Sequence, residues 1–164
     1  MPDAHTAAIA LGSNLPSALG GGPAQNLQQA LTALLVLGKV LAVSSFHTTA
    51  PVGYTAQPDF VNAVALLRTV LTPPDLMRRL FEIERSMGRI RHNVPPKGPR
   101  VIDLDLLLYD GITLAIPDLT IPHPALHERR FVLAPLAEIA PDWPHPTLHR
   151  TVADLLAELP APLP

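Results

Sequence analysis

"GPRVIDLDLLLYDG", residues 98–111, decides how this chain is read. Its β-branched, apolar and aromatic residues describe a buried strand that ends in an Asp110-Gly111 turn. Two acids interrupt it. Asp is depleted from strands, so Asp103 and Asp105 need a reason to be there. Strand side chains alternate, which sends both carboxylates to one face, about 6.5–7 Å apart, and predicts Ile102, Leu104, Leu106 and Leu108 on the opposite, core-facing side. Two charges at that separation repel by about 2–3 kcal/mol at an effective dielectric near 20. Magnesium removes the penalty: it takes hard oxygen ligands, commonly one or two carboxylates plus substrate phosphates, and paired ions sit about 3.5–4 Å apart. The competing reading is a solvent-facing strand whose acids discourage edge-to-edge association.

Immediately upstream, Arg89, Arg91 and Arg100 fall in the loop "RIRHNVPPKGPR", residues 89–100. Guanidinium groups make forked contacts to phosphate and neutralise charge that develops during transfer. Arginines beside paired acids therefore point to a polyphosphate site, against the plainer reading of a solvated basic loop.

Further upstream, Thr72-Pro73-Pro74-Asp75 is a helix start, and Leu76, Leu80, Ile83 and Met87 step along one buried face to a terminating Gly88. Met77, Phe81 and Glu84 line the flank of that stripe. Residues 59–71, "DFVNAVALLRTVL", predict a buried strand, on which Phe60 and Asn62 share a face as an aromatic ring beside an amide that both donates and accepts. A strand that runs into a Pro/Gly loop in "KVLAVSSFHTTAPVGY" (39–54), a helix over "QNLQQALTALLVL" (25–37) and a strand within "TAAIALGSNL" (6–15) precede it. After the opening stretch the prolines leave only a helix near 150–159, and the end "LPAPLP" is expected to fray. Strand, helix, strand, strand, helix, strand is the order of a ferredoxin-like α+β sandwich, one domain over residues 1–164, with helices on an antiparallel sheet.

The net charge of −2 gives no general attraction to nucleic acid, and ten of the twelve cations are arginines, so their placement matters more than their sum. Absence of cysteine, of a secretory start and of an apolar run long enough for a membrane span predicts a cytoplasmic protein. The pairs His123/His127 and His145/His149 have i, i+4 spacing but lack the His-Glu-x-x-His pattern and lie in proline-broken segments, so zinc is discounted. No P-loop and no G-x-G-x-x-G motif occurs.

Taken together, "ALGSNL", "TTAPVG", "QPDFVNAV", "EIERSMGRIR", the opening stretch and "TIPHPALHERRFVLAPLAEIAPDW" are similar, over nearly the whole chain, to the 6-hydroxymethyl-7,8-dihydropterin pyrophosphokinase family of the folate pathway. The resemblance implies a ferredoxin-like monomer that transfers the β,γ-pyrophosphoryl group of ATP to the pterin hydroxymethyl group and releases AMP. It implies two magnesium ions held by Asp103 and Asp105, with Arg89 and Arg100 contacting the triphosphate during transfer. Phe81, Glu84, Arg91, Thr120, His123 and Arg129 match ATP-site positions. The pterin is implied to lie between Phe60 and Phe131, its edge read by Asn62 and by main chain near Thr49, Pro51 and Val52. No general base is assigned. Lys97 stands where many relatives carry tryptophan, Pro124 follows His123 where some carry tyrosine, and the Gly20-Gly22 loop is longer than in compact relatives. Two other functions compete: a non-catalytic ligand-binding or regulatory module of the same fold, and an RNA-binding module, which the charge and the few aromatics disfavour.

Overall fold

A computed structural model describes residues 3–17, 20–51, 53–89 and 98–161. The chain runs β1 (His5–Ser13), α1 (Pro23–Leu34), β2 (Lys39–Val43), β3 (His47–Thr49), β4 (Phe60–Thr69), α2 (Pro73–Ser86), β5 (Asp103–Tyr109), β6 (Leu114–Ile116), β7 (Leu119–Ile121), α3 (Arg130–Ile139) and α4 (Val152–Glu158). The expected α+β arrangement is observed: an antiparallel sheet ordered β2-β4-β1-β5, with helices packed on it. β3 continues the β2 edge by pairing with β4, and β6 and β7 form a separate hairpin.

Alternation along the central strands sorts the core into two layers. Ala7, Ile9 and Leu11 of β1, with Ala63, Ala65 and Leu67 of β4, face α1 and α2, where Leu27, Leu34, Leu76 and Leu80 close the layer. Ala8 and Val64 face the other way, against Val132, Leu133 and Leu136 of α3 and Val152 and Leu155 of α4. The sheet thus has a helix pair on each face. α3 covers only part of its face, and the uncovered part is where the site lies.

Local chemistry explains the boundaries. Thr72 Oγ1 accepts the Asp75 amide at 3.3 Å, starting α2 where expected. Gly38 separates α1 from β2 where any Cβ would lie 2.1 Å from the Arg68 carbonyl oxygen, so only glycine fits. α1 starts at Pro23 and ends at Leu34, earlier at both ends than its apolar pattern predicts, because Pro23 follows the Gly22 cap and Leu35–Leu37 turn toward Gly38.

Two expectations are corrected. The single strand expected ahead of the Pro/Gly loop in 39–54 is two: Ser44 donates its amide to Val64 O and accepts the Val64 amide on Oγ, and Ser45 turns to α3, which breaks the ladder between β2 and β3. Leu108 does not share a face with Leu104 and Leu106. The β1–β5 register jumps from Ile9↔Leu106 to Ala8↔Leu108, leaving Leu107 as an extra residue. This bulge turns Leu107 and Leu108 both toward α3 and α4 and sends Tyr109 to the other layer, where its hydroxyl donates to Leu71 O at 2.6 Å. α3 and the β6–β7 hairpin were not expected at all. Among the described residues, no helix is long and apolar enough to cross a membrane.

Candidate active site

Asp103 and Asp105 stand at the N-terminal end of β5 on the face that α3 leaves open. Across the ladder Asp103 faces Gly12 and Asp105 faces Ala10. Gly12 in turn faces Asn62, and Asn62 faces His47. Directly paired residues project to the same side, so Asp103, Gly12, Asn62 and His47 form one row over four strands. With strands about 4.8 Å apart, Asn62 lies about 10 Å from Asp103. Gly12 supplies no side chain, and a Cβ there would come within 3.0 Å of Asn62 Oδ1, so the middle of the row is bare main chain. Asn62 Nδ2 donates to Thr49 Oγ1 at 2.6 Å, which fixes the amide plane.

The acids sit in different surroundings. Arg89 Nη1 donates to Asp103 Oδ1 at 2.6 Å, and Arg100 Nη1 donates to Asp103 Oδ2 at 2.9 Å. Burial works to raise the Asp103 carboxyl, but Arg89 and then Arg100 outweigh it and hold the group below the usual carboxylate range. Asp105 is pushed up to about 7, first by burial and then by the charges of Asp103 and Glu84. Glu84, expected on the flank of α2, occupies its buried stripe instead and is 1% exposed. Its Oε2 accepts Arg89 Nη1 at 2.6 Å and the Leu104 amide at 2.8 Å, so it ties α2 to the start of β5 and aims Arg89 at Asp103. The Arg100 amide donates to Asn14 Oδ1 at 2.9 Å, pinning that residue to the end of β1.

Two cavities meet at this cluster, and Arg100, Asp103, Asp105 and Arg129 line both. One, of about 330 Å³, is walled by Phe60, Asn62, Thr49 and Ala50 on one side and Phe131 on the other, with Gly12 between them. The Arg100 guanidinium lies 5.8 Å from the Phe60 ring centroid, and the Arg129 guanidinium 5.6 Å from that of Phe131. The second, of about 450 Å³, runs between Met77 and Phe81 of α2 and Thr120 and His123 beyond β7, with Arg89 at its inner end. Burial, then Arg129, lowers the His123 pKa, which keeps the imidazole neutral at neutral pH.

The predicted residues divide by position between the two cavities. Phe60, Asn62, Thr49 and Phe131 line the first cavity, and Phe81, Thr120, His123, Arg89 and Arg129 the second. Glu84 lies beneath the site, and Pro51 is half-buried beside the first cavity, whose lining its neighbour Ala50 provides. Val52, Arg91 and Lys97 lie outside the described residues. Sequence reasoning missed Gly12, whose role shows only in the strand register, and Arg130, which lines the first cavity and donates to Pro160 O at 2.8 Å. Elsewhere, the structure brings His127 and His145 together, rings 6.4 Å apart, across the two sequence pairs. Among the described residues, no group of three or more His, Asp or Glu side chains is arranged to hold a metal. The two carboxylates suit a magnesium ion that takes its other ligands from phosphate and water.

The model of the family 7,8-dihydro-6-hydroxymethylpterin-pyrophosphokinase matches residues 8–141, from β1 through α3. A Synechocystis protein named 2-amino-4-hydroxy-6-hydroxymethyldihydropteridine pyrophosphokinase is 42% identical over 157 residues, covering 94% of this chain and 76% of the relative. A Pseudomonas aeruginosa protein of the same name is 42% identical over 154 residues, covering 93% of this chain and 90% of its own. A solved structure of Plasmodium falciparum HPPK-DHPS superposes with a TM-score of 0.77 at 16% identity, over 96% of this chain and 46% of that one, and supports the fold. With both cavities built from strands and helices inside the matched region, this chain belongs to the 7,8-dihydro-6-hydroxymethylpterin-pyrophosphokinase family.

Proposed function

We propose that this pyrophosphokinase binds ATP in the cavity between α2 and β7 and 6-hydroxymethyl-7,8-dihydropterin in the cavity between Phe60 and Phe131, and transfers the β,γ-pyrophosphoryl group across their junction. The observation that carries this reading is that the two cavities share Asp103, Asp105, Arg100 and Arg129. A heterocycle stacked between the two phenylalanines presents its polar edge to Asn62, and the sheet row then directs its hydroxymethyl arm over Gly12 toward the acids. The hydroxymethyl oxygen forms a bond to the β-phosphorus as the bond from that phosphorus to the α,β-bridging oxygen breaks. AMP departs with the electron pair, and the hydroxyl proton is released.

Such a transfer depends on in-line placement and charge neutralisation more than on a strong base. Two magnesium ions, held by Asp103 and Asp105, supply neutralisation of the phosphate oxygens when bound. Arg89 and Arg100 supply the rest. Both are ion-paired to Asp103, so their guanidinium groups are already at the junction where the triphosphate enters. Arg129 lies on both cavities and spans the transferred group and the acceptor. The hydrophobic faces of Phe60, Phe131 and Phe81 exclude water that would otherwise intercept ATP.

The test is an assay with ATP, magnesium and the pterin alcohol, read by separating nucleotides. AMP and the pterin pyrophosphate are the expected products. ADP in place of AMP, or no turnover, refutes the proposal.

A further inference from the structure

β3 is three residues long and pairs only with β4 among the described strands, yet it carries Thr49, the residue that fixes the Asn62 amide. So short an edge strand needs a second attachment. A carboxylate from α3 provides it. Glu138 accepts the Ser45 amide at 2.9 Å and the Ser45 hydroxyl at 2.8 and 2.9 Å, and its Oε2 pairs with His47 Nε2. Ser45 Oγ lies 3.2 Å from the same imidazole nitrogen. Glu138 sits in the last turn of α3, where the helix dipole disfavours an anion, so a specific partner must offset its position.

The geometry of this clasp matters because of what its two ends carry. His47 and Thr49 project to one face of β3, and Thr49 and Ala50 form one wall of the cavity assigned to the pterin. The first turn of α3 carries Phe131 and Val132, which form the facing wall. α3 also packs on β4, to which β3 is hydrogen-bonded, and on α4, so the sheet sets its distance from β3 coarsely and the Glu138 clasp adds a direct polar link between the two.

We propose that Glu138 and His47 act as a positioning pair, setting the width of the slot between Phe131 and Thr49 by fastening α3 to β3, and so controlling pterin affinity without touching either substrate. The inference rests on the placement of the pterin in that cavity. His47 and Glu138 are about one-third exposed, with side-chain accessibilities of 32% and 35%, so substitutions there leave the two core layers intact.

The test uses the full chain with magnesium, varying each substrate at saturation of the other, for Glu138→Ala, Glu138→Gln, His47→Phe and, as a reference, Asn62→Ala. Glu138→Ala and His47→Phe are expected to raise the pterin KM by about tenfold while kcat and the ATP KM stay within about twofold, the pattern of lost binding without lost transition-state stabilisation. Glu138→Gln, which keeps its acceptor for Ser45 and loses the carboxylate contact to His47, is expected to fall between wild type and Glu138→Ala. An unchanged pterin KM in the Glu138 and His47 variants, with a raised one in Asn62→Ala, overturns the clasp and leaves the pocket standing. An unchanged pterin KM in Asn62→Ala as well overturns the pocket assignment itself. A parallel rise in both KM values with a fall in kcat overturns the clasp in favour of general loosening. Thermal melts of each variant accompany the kinetics, and if Glu138→Ala does not fold, Glu138→Gln and His47→Phe decide.

Discussion

Asp105→Asn should inactivate the enzyme and stabilise it. The carboxyl of Asp105 has no described ion-pair partner of the kind that Asp103 has in Arg89 and Arg100, and burial with the charges of Asp103 and Glu84 raises its pKa from 3.8 to about 7. A carboxylate raised in this way leaves the native state holding a proton that the unfolded chain has already released. Stability from this group is therefore complete below about pH 4, falls as pH rises, and is fully lost above about pH 7. At about 1.4 kcal/mol per tenfold change in proton affinity, the ceiling of the penalty is about 4 kcal/mol. Solvent reaching the half-buried site reduces it to about 1–2 kcal/mol. Asparagine fills the same volume without the charge. At pH 8 the variant should melt about 3–6 °C above wild type without metal, and the gap should narrow toward pH 4. Adding magnesium or manganese should raise the wild-type melting temperature and leave the variant nearly unmoved, while turnover falls about a hundredfold or more. Melts at pH 4.5, 6 and 8, with and without metal, decide the matter. A variant less stable than wild type at pH 8, or a gap that does not change with pH, refutes the account of Asp105.

The neighbouring acid should behave in the opposite way: Asp103→Asn removes the charge paired with Arg100 and leaves Arg89 with Glu84 alone, so it should lose activity and also about 2–4 kcal/mol of stability in urea unfolding. Glu84→Ala removes a buried carboxylate that holds Arg89 and the Leu104 amide; a loss of about 3–5 kcal/mol, together with weaker ATP binding by calorimetry, is expected. Gly12→Ala places a Cβ 3.0 Å from Asn62 Oδ1 and should raise the pterin KM several-fold at unchanged melting temperature; an unchanged KM would show that the acceptor does not cross this row.

The parts of the fold that were legible in sequence are those where one local signal dominates. α2 has a capping threonine, two prolines and a regular apolar step, and it starts where those signals place it. β4 and β5 are dense in β-branched and apolar residues. α3 was hidden by Pro135, which removes an amide from the helix interior yet is tolerated because Leu133 and Leu136 are fully buried against the sheet. The break between β2 and β3 depends on Ser44 and Ser45 hydrogen bonds to Val64 and Glu138, partners distant in sequence, so no local window contains it. The bulge at Leu107 is equally invisible, since a run of leucines looks the same in either register. At the site, the acids and arginines were legible as chemistry. The burial of Glu84 was not, because a glutamate on a helix is ordinarily solvated and only the approach of β5 reverses that.

The row from Asp103 through Gly12 to Asn62 works as a ruler whose divisions are main-chain hydrogen bonds. Its length is fixed at two strand intervals, so no side-chain exchange can lengthen or shorten it. Drift of this scaffold toward a bulkier or longer-armed acceptor alcohol is therefore closed to ordinary point mutation along the row. With the pterin placed as proposed, change is open at the rim, where Phe60, Phe131 and the arginines beside them would set how deep the flat ring settles.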